Sequence, residues 1–173
     1  DMILANTDFM GSVVTKVAPV ANFALGLKPT KVVMDAVLKV DKHRTFPKYA
    51  TKTFESWYKK NVMSFQESFK RHVSYFHGCY VNYNYPQLGK DLVSVMNALG
   101  YGVHLLENEK CCGTALIANC MIDKAKKNAE HNIASIRKSV YERQMPVIGA
   151  SSSCNFTIRD EYPHLLGVDN SDV

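Results

Sequence analysis

The sequence predicts an α/β domain, a parallel sheet with flanking helices, preceded by a helical extension. Three observations carry that expectation. Three short apolar runs, HVSYF (72–76), GVHLL (102–106) and PVIGAS (146–151), have the length of buried strands. Each is followed by a stretch of helical character. The strand–helix order repeats three times, which calls for parallel strands joined by right-handed helical crossovers.

Each element has its own local reason. After the first strand, Leu88, Leu92, Val95, Met96 and Leu99 recur at helical spacing. Pro86 suits a first helical turn and Gly100 a stop. After the second strand, residues 116–143 read as mostly helix, with Ala125, Ala129, Ile133, Ile136 and Val140 on one face. A short helix is expected to begin near Cys154, after the third strand. Residues 73–173 thus form the compact domain.

Residues 1–72 read as an amphipathic, basic extension or linker. The chain of 173 residues has a net charge of +5, but the excess is uneven. Residues 1–72 carry twelve Lys or Arg against six Asp or Glu, and residues 73–173 carry nine against ten. On a helical wheel Met10, Val13, Val14, Val17, Val20, Ala21, Ala24 and Leu25 share one face, opposite Ser12, Thr15, Lys16 and Asn22. Pro19 should kink or split that helix, and residues 9–27 are too interrupted for a spanning segment. TKVVMDAVLKV (30–40) is a second apolar stretch, and Lys39, Lys42, Arg44, Lys48, Lys52, Lys59 and Lys60 form a basic cluster. Apolar faces beside basic residues suit an anionic membrane surface or a membrane-bound partner over residues 9–44. The plainer alternative is helices packed on the domain or on partner subunits, with solvated lysines outside.

The hydrophobic fraction, 46%, is that of a globular domain. The chain opens on Asp1, without a basic-then-apolar export signal, and closes on GVDNSDV, as expected of a piece of a longer protein. Five cysteines without an export signal point to metal binding, redox chemistry or burial rather than a disulfide framework.

Four of the five follow strands. Cys79 follows the first, Cys111 and Cys112 the second, and Cys154 the third. Parallel strands end on one edge, where α/β proteins place their sites. Three loops therefore bring four thiols to one rim, and thiolates bind soft metals and iron–sulfur clusters. Gly113 would let the backbone pass close to such a site. One lone cysteine is ordinarily a small buried hydrophobe, but chance does not readily place four at three successive strand ends. Cys120 is expected to pack on a helix outside this group. His77 reads either as a satisfied polar residue or as a hydrogen-bond donor near sulfur.

Other classes fit less well. The basic cluster and the tyrosines of YVNYNY do not coincide, and no nucleic-acid motif is present. A cysteine nucleophile paired with His77 leaves three thiols unexplained. A dithiol enzyme cycling Cys111 and Cys112 stays open. There is no glycine-rich phosphate loop.

FHGCYVNYNYPQLGKDL, NEKCCGTALIAN and PVIGASSSCNFTIRDEYPHLLGVDN together resemble the cysteine-rich CCG domain shared by heterodisulfide reductases and related iron–sulfur electron carriers. The resemblance is strongest over residues 73–170. The family pattern is Cys, a long gap, Cys-Cys-Gly, a second long gap, then Cys-x-x-Cys. Cys79, Cys111–Cys112–Gly113 and Cys154 match it, and Thr157 stands where the last cysteine would be. The resemblance implies that these four cysteines are the cofactor and metal ligands. In the family a full set of five can hold a non-cubane [4Fe–4S] cluster, whereas four thiols suit a cubane cluster or a Cys₄ zinc. It also implies an electron-transfer subunit that does not itself bind the substrate. Flavin-containing dehydrogenase subunits would be its partners, with a membrane surface or quinone as the other, and no nucleic acid. Its place would be peripheral, at the cytoplasmic face of a bacterial inner membrane. Ferredoxin-type cysteine runs upstream and a second CCG domain downstream would complete such a protein. The other reading is a structural module, zinc-binding or metal-free, serving assembly and membrane attachment.

Overall fold

The computed structural model describes residues 7–38, 41, 43, 45 and 47–173. Lys39, Lys42 and Arg44 of the expected basic cluster lie outside the described residues. The chain begins with α1 (Thr7–Lys16), α2 (Ala18–Gly26) and α3 (Lys28–Leu38), then α4 (Phe54–Asn61) and α5 (Met63–Gln66). Strand β1 (Arg71–Phe76) leads into α6 (Gly78–Tyr83) and α7 (Pro86–Ala98). Strand β2 (Tyr101–Leu105) is followed by α8 (Thr114–Ala118) and α9 (Ile122–Arg137). Strand β3 (Val147–Gly149), α10 (Ser152–Phe156) and α11 (Tyr162–His164) complete the fold.

The sheet is parallel, as expected, with order β2-β1-β3. The central strand β1 pairs Val73 with Val103 on one side and Tyr75 with Ile148 on the other. Successive side chains of β1 face opposite ways, so the sheet divides two cores. Val73 and Tyr75 join Val93, Val103, Phe54 and Tyr58 in one. Phe76 joins Ala125, Ala129, Ile133, Ile136 and Tyr162 in the other. The chain leaves β1 towards β2 and later returns past it to β3. The topology therefore switches direction between β1 and β3, the crevice where open α/β sheets take ligands.

Helix ends follow local chemistry. Pro86 opens α7 and Gly100, at φ +82°, ends it, as the sequence indicates. The Thr53 hydroxyl accepts from the Ser56 N–H and caps α4. The expected helix over residues 116–143 is interrupted. It breaks between α8 and α9, where Cys120 takes φ +57°, and α9 widens into a π turn over Lys138–Glu142. On α7, Gly89 and Val93 are buried while Val95 and Leu99 face out. Leu88, Leu92 and Met96 of the expected apolar stripe pack against this core, so only Val95 and Leu99 turn to solvent.

The edge of β2 is capped by the residues before β1. The fully buried Gln66 side chain accepts from Val103 N–H at 2.8 Å, and Tyr58 donates its hydroxyl to Val103 C=O at 2.6 Å. An exposed strand edge is thereby satisfied and covered. The core takes residues from both sides of position 72, Phe54 and Tyr58 among them.

Helices α1 and α2 are split at Pro19, as expected. They dock through their small and polar residues. Gly11 packs so close to the Tyr83 ring that a Cβ there would clash, and Thr15 and Ala18 are buried. Asn22 exchanges two 2.8 Å hydrogen bonds with the Tyr49 backbone. Of the expected apolar stripe, Val13, Val17 and Val20 are exposed and Val14, Ala21, Ala24 and Leu25 are half-buried, while Phe23, Val32, Val33 and Val37 are exposed as well. No helix among the described residues is long and apolar enough to cross a membrane.

Candidate metal centre

Each of the three strands ends in a turn that carries a cysteine. Gly78 at φ +72° turns the chain from β1 into α6, and Cys79 is the second residue of that helix. A Cβ on Gly78 would stand 3.3 Å from Cys154 Sγ, so glycine is needed for both the turn and the close approach. After β2 the chain turns at Glu107–Asn108 and runs without regular structure through Cys111 and Cys112 to Gly113, at φ +98°. A Cβ on Gly113 would meet only ordinary contacts, the nearest to Ala125 at 3.5 Å. The role of Gly113 is therefore its left-handed backbone rather than the close passage read from the sequence. Cys154 lies in α10, one turn after β3.

The structure brings these four thiols together at the carboxyl edge, around the switch crevice. Cys79 Sγ is 3.8 Å from Cys111 Sγ, and Cys112 Sγ is 3.2 Å from Cys154 Sγ. The peptide bond between Cys111 and Cys112 joins the two pairs. None of them is in a disulfide; Cys111, Cys112 and Cys154 are buried and Cys79 is half-buried. Among the described residues, no group of three His, Cys, Asp or Glu side chains stands as a ready single-ion site. The sulfurs run in a row, the Cys79–Cys111 and Cys112–Cys154 contacts being linked by the hydrogen bond between the Cys111 and Cys112 thiols.

Thiol acidity reflects that packing. The hydrogen bond with Cys112, helped by burial, pushes Cys111 up to about 11. For Cys112 the hydrogen bond with Cys111 pulls down, but the bond to Cys154 and burial outweigh it and push the thiol up to about 12. Cys154, which receives the Cys112 hydrogen bond, is lowered. These are protons that a bound cation displaces, since a metal takes thiolates.

The loop bearing the doublet is tied down by residues that motif reading missed. The Glu109 carboxylate accepts from Gly78 N–H at 2.7 Å and His77 N–H at 3.0 Å, and stands 3.2 Å from His77 Nδ1. His77 is thus engaged by a carboxylate, with its ring edge-on to Phe54 and Tyr75. On the other side, the fully buried Asn132 accepts from Lys110 N–H and donates to Lys110 C=O. Tyr162 donates to Cys112 C=O at 2.9 Å and Asn128 to Cys111 C=O at 3.1 Å. The available signal was Asn128 and Asn132, two amides four apart beside the apolar face of α9.

Two further polar features adjoin the thiols. Among the described residues the buried Tyr75 hydroxyl has no hydrogen-bond partner, and burial, then the charges of Glu109 and Cys154, raise its pKa. Thr114 Oγ1 lies 3.2 Å from Cys112 Sγ and 2.8 Å from Thr157 Oγ1. The position after Cys154-x-x is therefore filled by a hydroxyl within reach of the site. Cys120 lies apart. It was expected to pack, but it is exposed in the turn between α8 and α9, because the helix breaks there.

A cleft of about 800 Å³ opens beside Cys79, lined by Tyr58, His77, Tyr83, His104 and Glu109 among others.

The model of the cysteine-rich CCG domain family matches residues 73–159. The chain is 54% identical to a subunit of the anaerobic glycerol-3-phosphate dehydrogenase of Escherichia coli K12, over 98% of this chain and 43% of that protein. It is 26% identical to an uncharacterized iron-sulfur protein of Methanococcus maripaludis, over 75% of this chain and 26% of that one. It is also 26% identical to a subunit of the fumarate reductase (CoM/CoB) of Methanothermobacter marburgensis, over 53% of this chain and 18% of that one. The chain spans less than half the length of these curated relatives. No solved structure is significantly similar to it.

Proposed function

The chain belongs to the cysteine-rich CCG domain family, and on that premise we propose that Cys79, Cys111, Cys112 and Cys154 hold an iron–sulfur cluster through which the protein relays electrons. The observation that carries this is the meeting of four thiols, none in a disulfide, from three loops at one sheet edge. Their number suits a cubane [4Fe–4S] cluster. The unpartnered Tyr75 hydroxyl and the hydroxyl of Thr114 fit a sulfur-rich group, which needs donors around it. When bound, such a cluster supplies one-electron redox chemistry.

The chain's own residues prepare the place. Glu109 joins the turn bearing Cys79 to the segment bearing the doublet. Asn128, Asn132 and Tyr162 hydrogen-bond the backbone of that segment, so its two sulfurs are aimed by carbonyls and peptides held on both sides. Burial of Cys111, Cys112 and Cys154 keeps water from three sulfurs, while Cys79 borders the cleft and is the edge nearest a partner. The similarity to the Escherichia coli protein supports the finer reading. In that reading, flavin-containing dehydrogenase partners oxidise glycerol 3-phosphate to dihydroxyacetone phosphate. This chain passes the electrons towards membrane quinone without binding that substrate. The assembly sits peripherally at the cytoplasmic face of the bacterial inner membrane.

One distance favours a second reading. Tetrahedral zinc with bonds of about 2.3 Å sets neighbouring sulfurs about 3.8 Å apart, which is the Cys79–Cys111 separation. A structural zinc module would then serve assembly. Iron, sulfide and zinc analysis of protein purified without oxygen decides between them. Iron and sulfide in proportion, with visible absorption lost on Cys112→Ser, is the expected result. Full zinc and no iron would give the site to the structural role.

A further inference from the structure

Tyr58, Tyr75 and Tyr162 are all buried, and two of their hydroxyls are bonded. Tyr58 donates to Val103 C=O and Tyr162 to Cys112 C=O. Among the described residues the Tyr75 hydroxyl has no partner, although its side chain is fully buried. A buried hydroxyl left unpaired costs stability that a phenylalanine of the same shape would not lose. The place of Tyr75 shows where a partner would come from. It is the penultimate residue of β1, the central strand, at the carboxyl edge beside the switch crevice. Its ring stands edge-on to Phe54 and to His77, with centroids 5.7 and 6.2 Å away, so packing fixes the ring whatever its hydroxyl does. The charges that act on the hydroxyl are those of Glu109, in the segment after β2, and Cys154, after β3. The hydroxyl thus senses both loops that flank the Cys79 turn, yet bonds to neither.

We propose that the Tyr75 hydroxyl donates a hydrogen bond to a sulfur of the bound iron–sulfur cluster and thereby raises its reduction potential. The inference rests on the reading of the four thiols as an iron–sulfur site. Cluster sulfurs carry negative charge and accept hydrogen bonds. The phenol keeps the proton it needs as a donor, because burial and the two nearby charges oppose its ionisation. Reduction adds negative charge to the sulfurs, so a donor favours the reduced form over the oxidised one, and the potential rises. The same bond relieves the unpaired hydroxyl. Its cost falls on the metal-free chain alone, which adds to the drive for loading. Tyr75 thus gives up stability in the empty protein for a donor in the filled one.

The test uses the whole chain, reconstituted without oxygen, with iron content, redox titration and resonance Raman spectra of the iron–sulfur stretches as readouts. Urea unfolding of the metal-free chain is measured beside them. Tyr75→Phe keeps the ring and removes the donor. At unchanged iron content the potential should shift downwards and the stretching bands upwards. The metal-free variant should unfold at an equal or higher urea midpoint than the parent, since it loses no hydrogen bond. A fluorinated tyrosine at the same position is a stronger donor, and should move the potential upwards and the bands downwards. Unchanged potential and spectra in iron-replete Tyr75→Phe would overturn the proposal. So would a lowered midpoint in the metal-free variant, which would show that the hydroxyl has a partner without the cluster. If Tyr75→Phe takes up less iron, the fluorinated chain decides, and a potential equal to the parent's overturns the proposal. A parent chain that takes up no iron would instead overturn the cluster assignment, and this inference with it.

Discussion

The carboxylate of Glu109 accepts the Gly78 backbone N–H at 2.7 Å, joining the turn after β1 to the segment after β2. Gly78 precedes the first cysteine of the set and Glu109 stands two residues before the doublet. The bond therefore fixes the separation of Cys79 from Cys111 and Cys112 before any metal arrives. The same carboxylate takes the His77 N–H, so two buried donors depend on one side chain.

Glu109→Gln leaves one acceptor oxygen for those two donors. One N–H loses its partner, and a buried unsatisfied group costs about 1–3 kcal/mol. The expected outcome is a lower urea midpoint. In the metal-free protein, alkylation of Cys79 should also accelerate relative to Cys120, whose exposed position makes it an internal reference. Unchanged stability and alkylation would mean that the two turns are held by packing alone.

Gln66 offers a test away from the thiols. Its carbonyl oxygen accepts from Val103 N–H and from Asn97, and it is fully buried. Gln66→Ala should destabilise the domain by about 1–3 kcal/mol by stranding the edge donor of β2. Hydrogen exchange at Val103 should quicken well beyond exchange at β1. Equal exchange in both proteins would show that water satisfies the edge.

Acidification has a defined sign. Burial lowers His104 below the ordinary histidine value, against the opposing pull of Glu67. Its Nε2 lies 2.9 Å from His72 Nδ1, a contact that needs one unprotonated nitrogen. A histidine depressed in the folded state binds its proton more readily when unfolded. Its contribution is present above about pH 6.5 and is lost as pH falls through the folded value. Urea midpoints measured from pH 8 to pH 5 should fall on the acid side, and His104→Gln should flatten that limb. A limb unchanged in the variant would assign the loss to other groups.

Much of this was legible because it is local or topological. The three strands are short apolar runs, and a cysteine just after each must reach the same edge if the strands are parallel. The strand order was not legible, since either crossover direction suits the same helices. Glu109, Asn132 and Tyr162 were passed over because their value lies in backbone groups they meet across the fold. Cys120 was misplaced because a helical pattern hid the turn that exposes it. In α1 and α2 the wheel correctly marked an apolar stripe. The face that packs is Gly11, Thr15 and Ala18, because small residues let the helices approach Tyr83 closely.

That leaves Val17, Val20 and Phe23 outside, the last two at 71% and 70% exposure, with Lys16 at the end of α1 and Lys28 and Lys31 on α3. An apolar ridge with basic residues suits an anionic bilayer surface, where each Lys or Arg contributes on the order of 1 kcal/mol within a Debye length. Inserting the Phe23 ring would add about 1.5–3 kcal/mol. Co-sedimentation of the chain with vesicles containing anionic lipid should therefore exceed that with neutral vesicles. It should weaken, without vanishing, in high salt, as the charge part is screened and the apolar part is not. Phe23→Glu should reduce binding roughly 10- to 150-fold, the equivalent of that insertion term. Its thermal midpoint should stay near that of the parent chain, because the ring packs on little of its own domain. Equal binding by parent and variant, or none by either, would exclude lipid as the cover of this ridge and give it to a protein partner.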